Sequence, residues 1–219
     1  SGFRRSGCPK QHLLPFHKYI TVMFFTEICI NLLYIIFSHT FGGFFMQRFD
    51  LDFKHSSICF AIKHMRLAKV KGFFESYQAN IKISDIQNLD QFNILFEIDV
   101  ASISTNDVPR DTHLISADFF HADKYPKIIF TATDIEKLTP NTLLLGGNLT
   151  IKDVTKHVKF NVLYNGNANS LIGTEVYSFT CLSSIKRSDF GLTYNKMLES
   201  GNLLIDNEVE IIVELELFT

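Results

Sequence analysis

The chain has no tryptophan, only four cysteines and five prolines, and no concentration of charge of either sign. Cys8, Cys29, Cys59 and Cys181 never approach C-x-x-C spacing. That disfavours a zinc site or a disulfide framework and suits small buried hydrophobes in a reducing compartment. Lys and Arg number 21 against 23 Asp and Glu, a net charge of −2. The basic residues are scattered singly, so nucleic acid is not an expected partner. The common catalytic signatures are also missing: no G-x-S-x-G elbow, no phosphate-cradling loop, no H-E-x-x-H and no G-x-G-x-x-G. No helical run is long enough for a βαβ crossover, which disfavours a parallel sheet. What the chain does have is phenylalanine, 22 residues of it, in a composition that is 46% hydrophobic. Its 219 residues suit one domain, or one domain with an appendage.

Residues 1–45 read differently from the rest. Arg4, Arg5, Lys10 and Lys18 precede an apolar run from Ile20 to Phe37, the outline of a signal or anchor. Glu27 and Asn31 interrupt it, and a central carboxylate costs about 2.5–3.5 kcal/mol on insertion scales. Met46 stands directly before the first good strand. A start at Met46 implies a cytoplasmic protein; otherwise the apolar segment exports or anchors it, with membrane contact through residues 16–37.

From Phe49 onward the hydrophobic period is two. Phe49, Leu51 and Phe53 alternate with polar neighbours, as do Ile58, Phe60 and Ile62, then Phe92, Ile94, Phe96 and Ile98. Ile128 and Phe130, Val158 and Phe160, and Tyr177, Phe179 and Cys181 continue the pattern. It ends with Val209, Ile211, Val213, Leu215 and Phe218 set against four glutamates. Lys71-Gly72, Thr139-Pro140-Asn141, Asn165-Gly166-Asn167 and Asp206-Asn207 read as turns between strands. About eight short strands, each with one apolar face, predict an all-β fold, an antiparallel barrel or sandwich. Gly146-Gly147 falls inside a strand, where small residues mark a bulge or close packing.

One stretch breaks the pattern, Arg110 to Phe130. Thr105, Asn106 and Asp107 offer helix caps and Pro109 suits a first turn. Arg110, His113 and Ala117 then share one face, and Asp111, Leu114 and Asp118 the next. Tyr125-Pro126 returns the chain to extended form. The couples Arg110-Asp111 and Arg187-x-Asp189 admit two readings. In one, each Arg pairs with the other couple's Asp at a structural corner. In the other, the planar guanidinium forks hold a ligand head group. His55, His64, His113 and His121 have no carboxylate cluster beside them in sequence, so no metal site is expected. A Phe-rich barrel can be solid or can hold one ligand, and period-two alternation serves both.

The order of short motifs resembles the YceI-like family, a lipocalin-like barrel associated with polyisoprenoid and other long-chain lipids. The resemblance runs from Phe49 to Phe218. It rests on Asp52-Phe53-Lys54-His55-Ser56 leading to Phe60 and Lys63-His64, and on Val70-Lys71-Gly72-Phe73-Phe74. It continues through Ser102-Ile103-Ser104-Thr105, Arg110-Asp111-Thr112-His113-Leu114 and Ser116-Ala117-Asp118-Phe119-Phe120. Tyr125-Pro126, Gly147-Asn148-Leu149-Thr150-Ile151 and Arg187-Ser188-Asp189-Phe190-Gly191-Leu192 complete it. Residues 1–45 have no counterpart in the family, leaving 46–219 as the barrel domain. The resemblance implies an up-and-down antiparallel β-barrel with one short helical insertion near residues 108–120, a long apolar channel, and a homodimer.

The expected function is to bind, and to carry or store, a long-chain amphiphile: a polyisoprenoid, an isoprenoid quinone or a fatty acid derivative. The expected tail-lining residues are Phe60, Ile62, Phe92, Ile94, Phe96, Phe130, Phe160 and Phe179, with Arg110, His113 and Arg187 at the mouth. A register shift of one residue would turn the other face inward. No catalytic residue, metal or cofactor other than the bound lipid is expected. Two alternatives stand beside this: a lipid isomerase or cyclase using His113 with Asp111 or Asp189 as its orienter, and a sealed structural or stress-associated barrel.

Overall fold

The computed structural model describes residues 46–65, 67–84, 89, 91–170, 173–196 and 204–219. The expectations for residues 1–45, including the apolar run and two of the cysteines, lie outside these. The described chain runs β1 (Gln47–Leu51), β2 (Ser57–His64), β3 (Ala68–Phe74), β4 (Tyr77–Ile83) and β5 (Phe92–Asp99). A 3-10 turn (Val100–Ser102), β6 (Ile103–Ser104) and helix α1 (Val108–Ile115) follow. Then come β7 (Lys127–Thr139), β8 (Thr142–Ile151), β9 (Val154–Asn169), β10 (Glu175–Lys186), a second 3-10 turn (Arg187–Phe190) and β11 (Ile205–Phe218). All pairings are antiparallel, in the order β1-β4-β5-β7-β8-β9-β10-β11, and a β1–β11 pairing closes the ring at eight staves.

Eleven strands fill eight staves because three staves are composite. β1 and β2 lie end to end along β11, through Leu51 opposite Leu217 and Ser57 opposite Glu214. β4 and β3 pair with them in turn, and β5 and β6 with those. The interruptions, at 52–56, 75–76 and Val100–Ser102, therefore sit side by side. Serine hydroxyls mend the broken ladder. Ser56 Oγ accepts the Glu216 N–H at 2.9 Å, Ser102 Oγ accepts the Ser76 N–H at 3.0 Å, and the Tyr77 hydroxyl donates to the Ser56 carbonyl at 2.8 Å. Buried backbone groups need such partners wherever a ladder stops.

Several sequence expectations shift here. Phe53 is not part of β1; it lies in the turn after it, 58% exposed, against Tyr77. Lys71-Gly72 lies inside β3, not in a turn. Asn165-Gly166-Asn167 lies inside the sixteen-residue β9, where Asn165 is skipped in the pairing to β10 and Gly166 takes φ 122°. Asp206-Asn207 sits inside β11, in a register shift between Ile205 and Val209. Of the four expected turns only Thr139-Pro140-Asn141 is a hairpin. The physical reason is strand length: bulges and glycines let long strands bend with the barrel without ending. At the end of β11 the inward phase falls on Leu217, 4% exposed, and Phe218 is half-buried on the other face.

Gly147 shows how tightly one wall is packed. A Cβ there would lie 2.5 Å from the Phe130 ring and 2.7 Å from the Thr131 carbonyl oxygen. Since the second neighbour is backbone, it cannot swing aside. Gly147→Val is expected to lower stability by about 1–3 kcal/mol, the cost of overpacking, measured by urea denaturation.

Helix α1 forms where its caps predict. The Asp107 carboxylate accepts the Arg110 N–H at 3.1 Å and Pro109 occupies the first turn. The helix is tied to the barrel through Thr105: Asp111 accepts its N–H at 2.9 Å and its hydroxyl at 2.5 Å, and Arg110 Nε donates to its Oγ1 at 2.7 Å. Ser116 ends the helix by donating its hydroxyl to the His113 carbonyl at 2.7 Å.

Candidate ligand cavity

The barrel is hollow. A cavity of 760 Å³ reaches from α1 and the segment after β10 at one end to the β7–β8 hairpin at the other. Its wall is the period-two face of the strands. Phe96, Phe130, Phe160 and Val162 are buried in it, whereas Phe60, Leu145, Phe179 and Val213 line it half-buried. The solid-barrel alternative therefore does not describe this interior. The volume lies within the range for ligand sites, about 300–1,000 Å³.

Seven of the eight expected tail residues line the cavity: Phe60, Ile62, Ile94, Phe96, Phe130, Phe160 and Phe179. Phe92 does not. It points to the same side as Ile94 but stands at the first position of β5, where it packs half-buried against the core. The register is thus the one that places these phenylalanines inward. Arg110, His113 and Arg187 all line the cavity at the α1 end, although Arg187 lies 77 residues beyond Arg110 in sequence, with β7, β8, β9 and β10 between them.

Their partners differ from those expected. Arg110 and Arg187 do not exchange aspartates. Arg110 bonds Thr105 and lies 3.6 Å from Asp107, while Asp111 also goes to Thr105. Arg187, 7% exposed, donates to three backbone carbonyls: Asp206 and Tyr194 at 2.8 and 2.9 Å, and Leu192. It thereby ties the segment after β10 to the start of β11. Burial pulls the pKa of this guanidinium down, partly opposed by the charge of Asp206.

His113 is oriented by neither Asp111 nor Asp189. Its Nε2 lies 2.9 Å from Asp118 Oδ2. Its ring stands edge-on to Phe119 and Tyr194 at centroid distances of 5.0 and 4.8 Å, and those two rings lie 5.0 Å apart. All three rings line the cavity, forming an aromatic collar at its α1 end. Phe119 was visible in sequence only as part of a Phe-Phe pair. Nothing local singled out Tyr194, which the Arg187 tether carries into place. Deeper in the wall, burial pushes the Cys181 thiol up to about 12, which makes it inert as a nucleophile at neutral pH.

Outside the barrel, the closure of β1 and β2 on β11 sets Glu216 beside Asp52 and His55, with ligand atoms within 4.8 Å of one another. This cluster has no signature in the sequence because Glu216 is so remote from His55 in the chain. The hydrogen bond that the Asp52 carboxylate accepts from the His55 ring, at 3.0 Å, is the main cause raising His55 above its ordinary 6.5, with the charges of Asp52 and Glu216 adding to it. The same bond is the main cause lowering Asp52 below its ordinary 3.8. The contribution of His55 to stability is therefore full below pH 6.5 and is lost as pH rises through the raised value. That of Asp52 is full above pH 3.8 and is lost as pH falls through the lowered value. His55 is exposed and Asp52 only half-buried, so solvent screening keeps the effect small. The melting-temperature difference between wild type and His55→Gln is expected to be largest at about pH 4–6 and to shrink above neutrality.

Comparison with known proteins agrees with this architecture. The family model described as the YceI-like domain matches residues 49–217. A UPF0312 protein of Staphylococcus aureus is 34% identical over 166 residues, covering 75% of this chain and 94% of its own. Among solved structures, BcnA of Burkholderia cenocepacia has a TM-score of 0.67 at 26% identity, covering 76% of this chain and 99% of its own. The YceI protein of Campylobacter jejuni has a TM-score of 0.62 at 31% identity, covering 72% of this chain and 89% of its own. A polyisoprenoid binding domain from Saccharophagus degradans shares the fold at 16% identity, with a TM-score of 0.51 and coverage of 78% and 98%. By sequence, wall topology and helical insertion alike, the chain belongs to the YceI-like domain family.

Proposed function

We propose that this protein binds the tail of a long-chain amphiphile inside its barrel, and so carries or stores a polyisoprenoid, an isoprenoid quinone or a fatty acid derivative. The observation that supports this most is the 760 Å³ apolar cavity with basic and aromatic groups at one end. Each buried CH₂ contributes about 0.8 kcal/mol, so a tail of ten carbons supplies about 8 kcal/mol before the cost of ordering it. Few polar contacts are then needed for useful affinity.

The test is competition. A neutral apolar fluorophore should enter the barrel, brighten, and be released by a prenyl compound with a saturating curve. Failure of the fluorophore to enter, or release that never saturates, would contradict the reading. A catalytic reading has one supporting observation, the His113–Asp118 pair beside the cavity. It requires turnover of a prenyl lipid that disappears in His113→Gln while binding persists.

A further inference from the structure

The lysines and arginines that line the cavity have no acidic counterpart in its lining among the described residues. At the α1 end these are Arg110, Arg187 and Lys196, with the imidazoles of His64 and His113 beside them; at the hairpin end it is Lys137. No Asp or Glu among the described residues lines it, although the chain holds slightly more acidic than basic residues. Carboxylates close to the α1 end have partners of their own and do not line the cavity. Asp111 is held by Thr105, Asp107 caps the helix and lies 3.6 Å from Arg110, Asp118 lies 2.9 Å from His113 Nε2, and Asp206 accepts the Asn207 N–H at 2.7 Å. Basic groups on a low-dielectric wall reinforce one another's field inside the cleft.

Arg187 makes the asymmetry sharper. Its bonds from Nε and Nη1 go to neutral carbonyl oxygens, and no carboxylate of the described residues lies within 4.0 Å of it. A buried cation that touches no carboxylate, with only the charge of Asp206 acting on it from beyond contact, is held at a cost of several kcal/mol in general, and an anion in the adjoining lumen would offset it further. Carbonyl tethering alone explains why the loop is held in place. It does not explain why acidic side chains are missing from the lining among the described residues.

We propose that the amphiphile taken by this cavity has an anionic head, a carboxylate or a phosphate monoester, seated at the α1 end among Arg110, His113, Arg187 and Lys196. This rests on the carrier reading above and narrows it: acids are preferred to neutral quinones and alcohols of equal tail, and amines are disfavoured.

The experiment uses the full chain loaded with a neutral fluorophore and competitors matched in tail. Geranylgeranyl monophosphate, geranylgeraniol and geranylgeranylamine form one set; palmitic acid, hexadecanol and hexadecylamine form the other, all below micellar concentrations. The phosphate or carboxylate should compete about tenfold or more better than its alcohol, with the amine weakest. The advantage should shrink in Lys196→Met, whose exposed position spares the fold, and again in Arg110→Met. Comparing the two sets shows which anion is favoured, and inorganic phosphate alone should release nothing. Acid and alcohol competing equally, or the amine competing best, would overturn the anionic head while leaving the carrier intact. No competition by any member would overturn both.

Discussion

Val213→Trp is expected to close the barrel to alkyl tails, weakening binding by about 100-fold or more, which is ~2.7 kcal/mol, while the protein stays folded. Val213 lines the cavity from β11, half-buried because the space before it is empty. An indole placed there enters the lumen instead of a packed core, so the usual overpacking cost of about 1–3 kcal/mol is at its low end or absent. Leu145→Trp, made from β8, should have the same effect from another part of the wall. Denaturation curves taken alongside the binding titration separate the two outcomes. Loss of binding with an unchanged transition supports a tunnel, whereas a large loss of stability with binding retained means that the lumen lies elsewhere.

Arg187→Met is expected to be the most damaging single change outside the strands, at about 3–5 kcal/mol. Methionine fills much of the same apolar path but donates nothing. Three carbonyls, on Leu192, Tyr194 and Asp206, then lose a charged donor at a nearly buried site. Hydrogen bonds to charged groups contribute about 1.5–3 kcal/mol each and are not additive. Because Tyr194 rides on this tether and meets His113 edge-on and Phe119 at a tilt, the aromatic collar should loosen as well. Arg187→Lys should recover part of the loss, since an ammonium can reach one or two carbonyls but has no planar fork. Chemical denaturation measures the first effect, and faster release of bound fluorophore from Arg187→Lys measures the second.

What was readable in the sequence follows from locality. Alternation places Phe60, Ile62, Ile94, Phe96, Phe130, Phe160 and Phe179 on the inward faces of their strands, and all seven line the lumen. Asp107 and Pro109 announced the helix because caps are made within three residues. Gly147 was legible as a packing position because a glycine within a strand has few other uses.

What was not readable depended on which remote segments meet. At each interruption the inward phase switches, from Leu51 to Ile58, from Phe74 to Tyr77 and from Ile98 to Ile103, so the sequence reads as separate strands and nothing in it shows that two of them share one stave. Glycine and asparagine in β9, and Asp206-Asn207 in β11, have the composition of turns, and only the pairing register shows them to be irregularities in long strands. The partners of Arg187 are backbone carbonyls, which carry no residue signature at all. Glu216 meets His55 through barrel closure, a contact between the two ends of the domain. The hollowness was likewise invisible, since alternation fixes which side chains point inward and leaves open whether they meet across the middle.

The most direct test of the central claim is native mass spectrometry of the purified protein, before and after organic extraction. A lumen built to hold an alkyl chain predicts a discrete added mass that extraction removes, that a long-chain acid restores one-to-one, and that Val213→Trp cannot retain. An intact protein at its bare chain mass, with no uptake of any long-chain amphiphile at saturating concentration, would contradict the account.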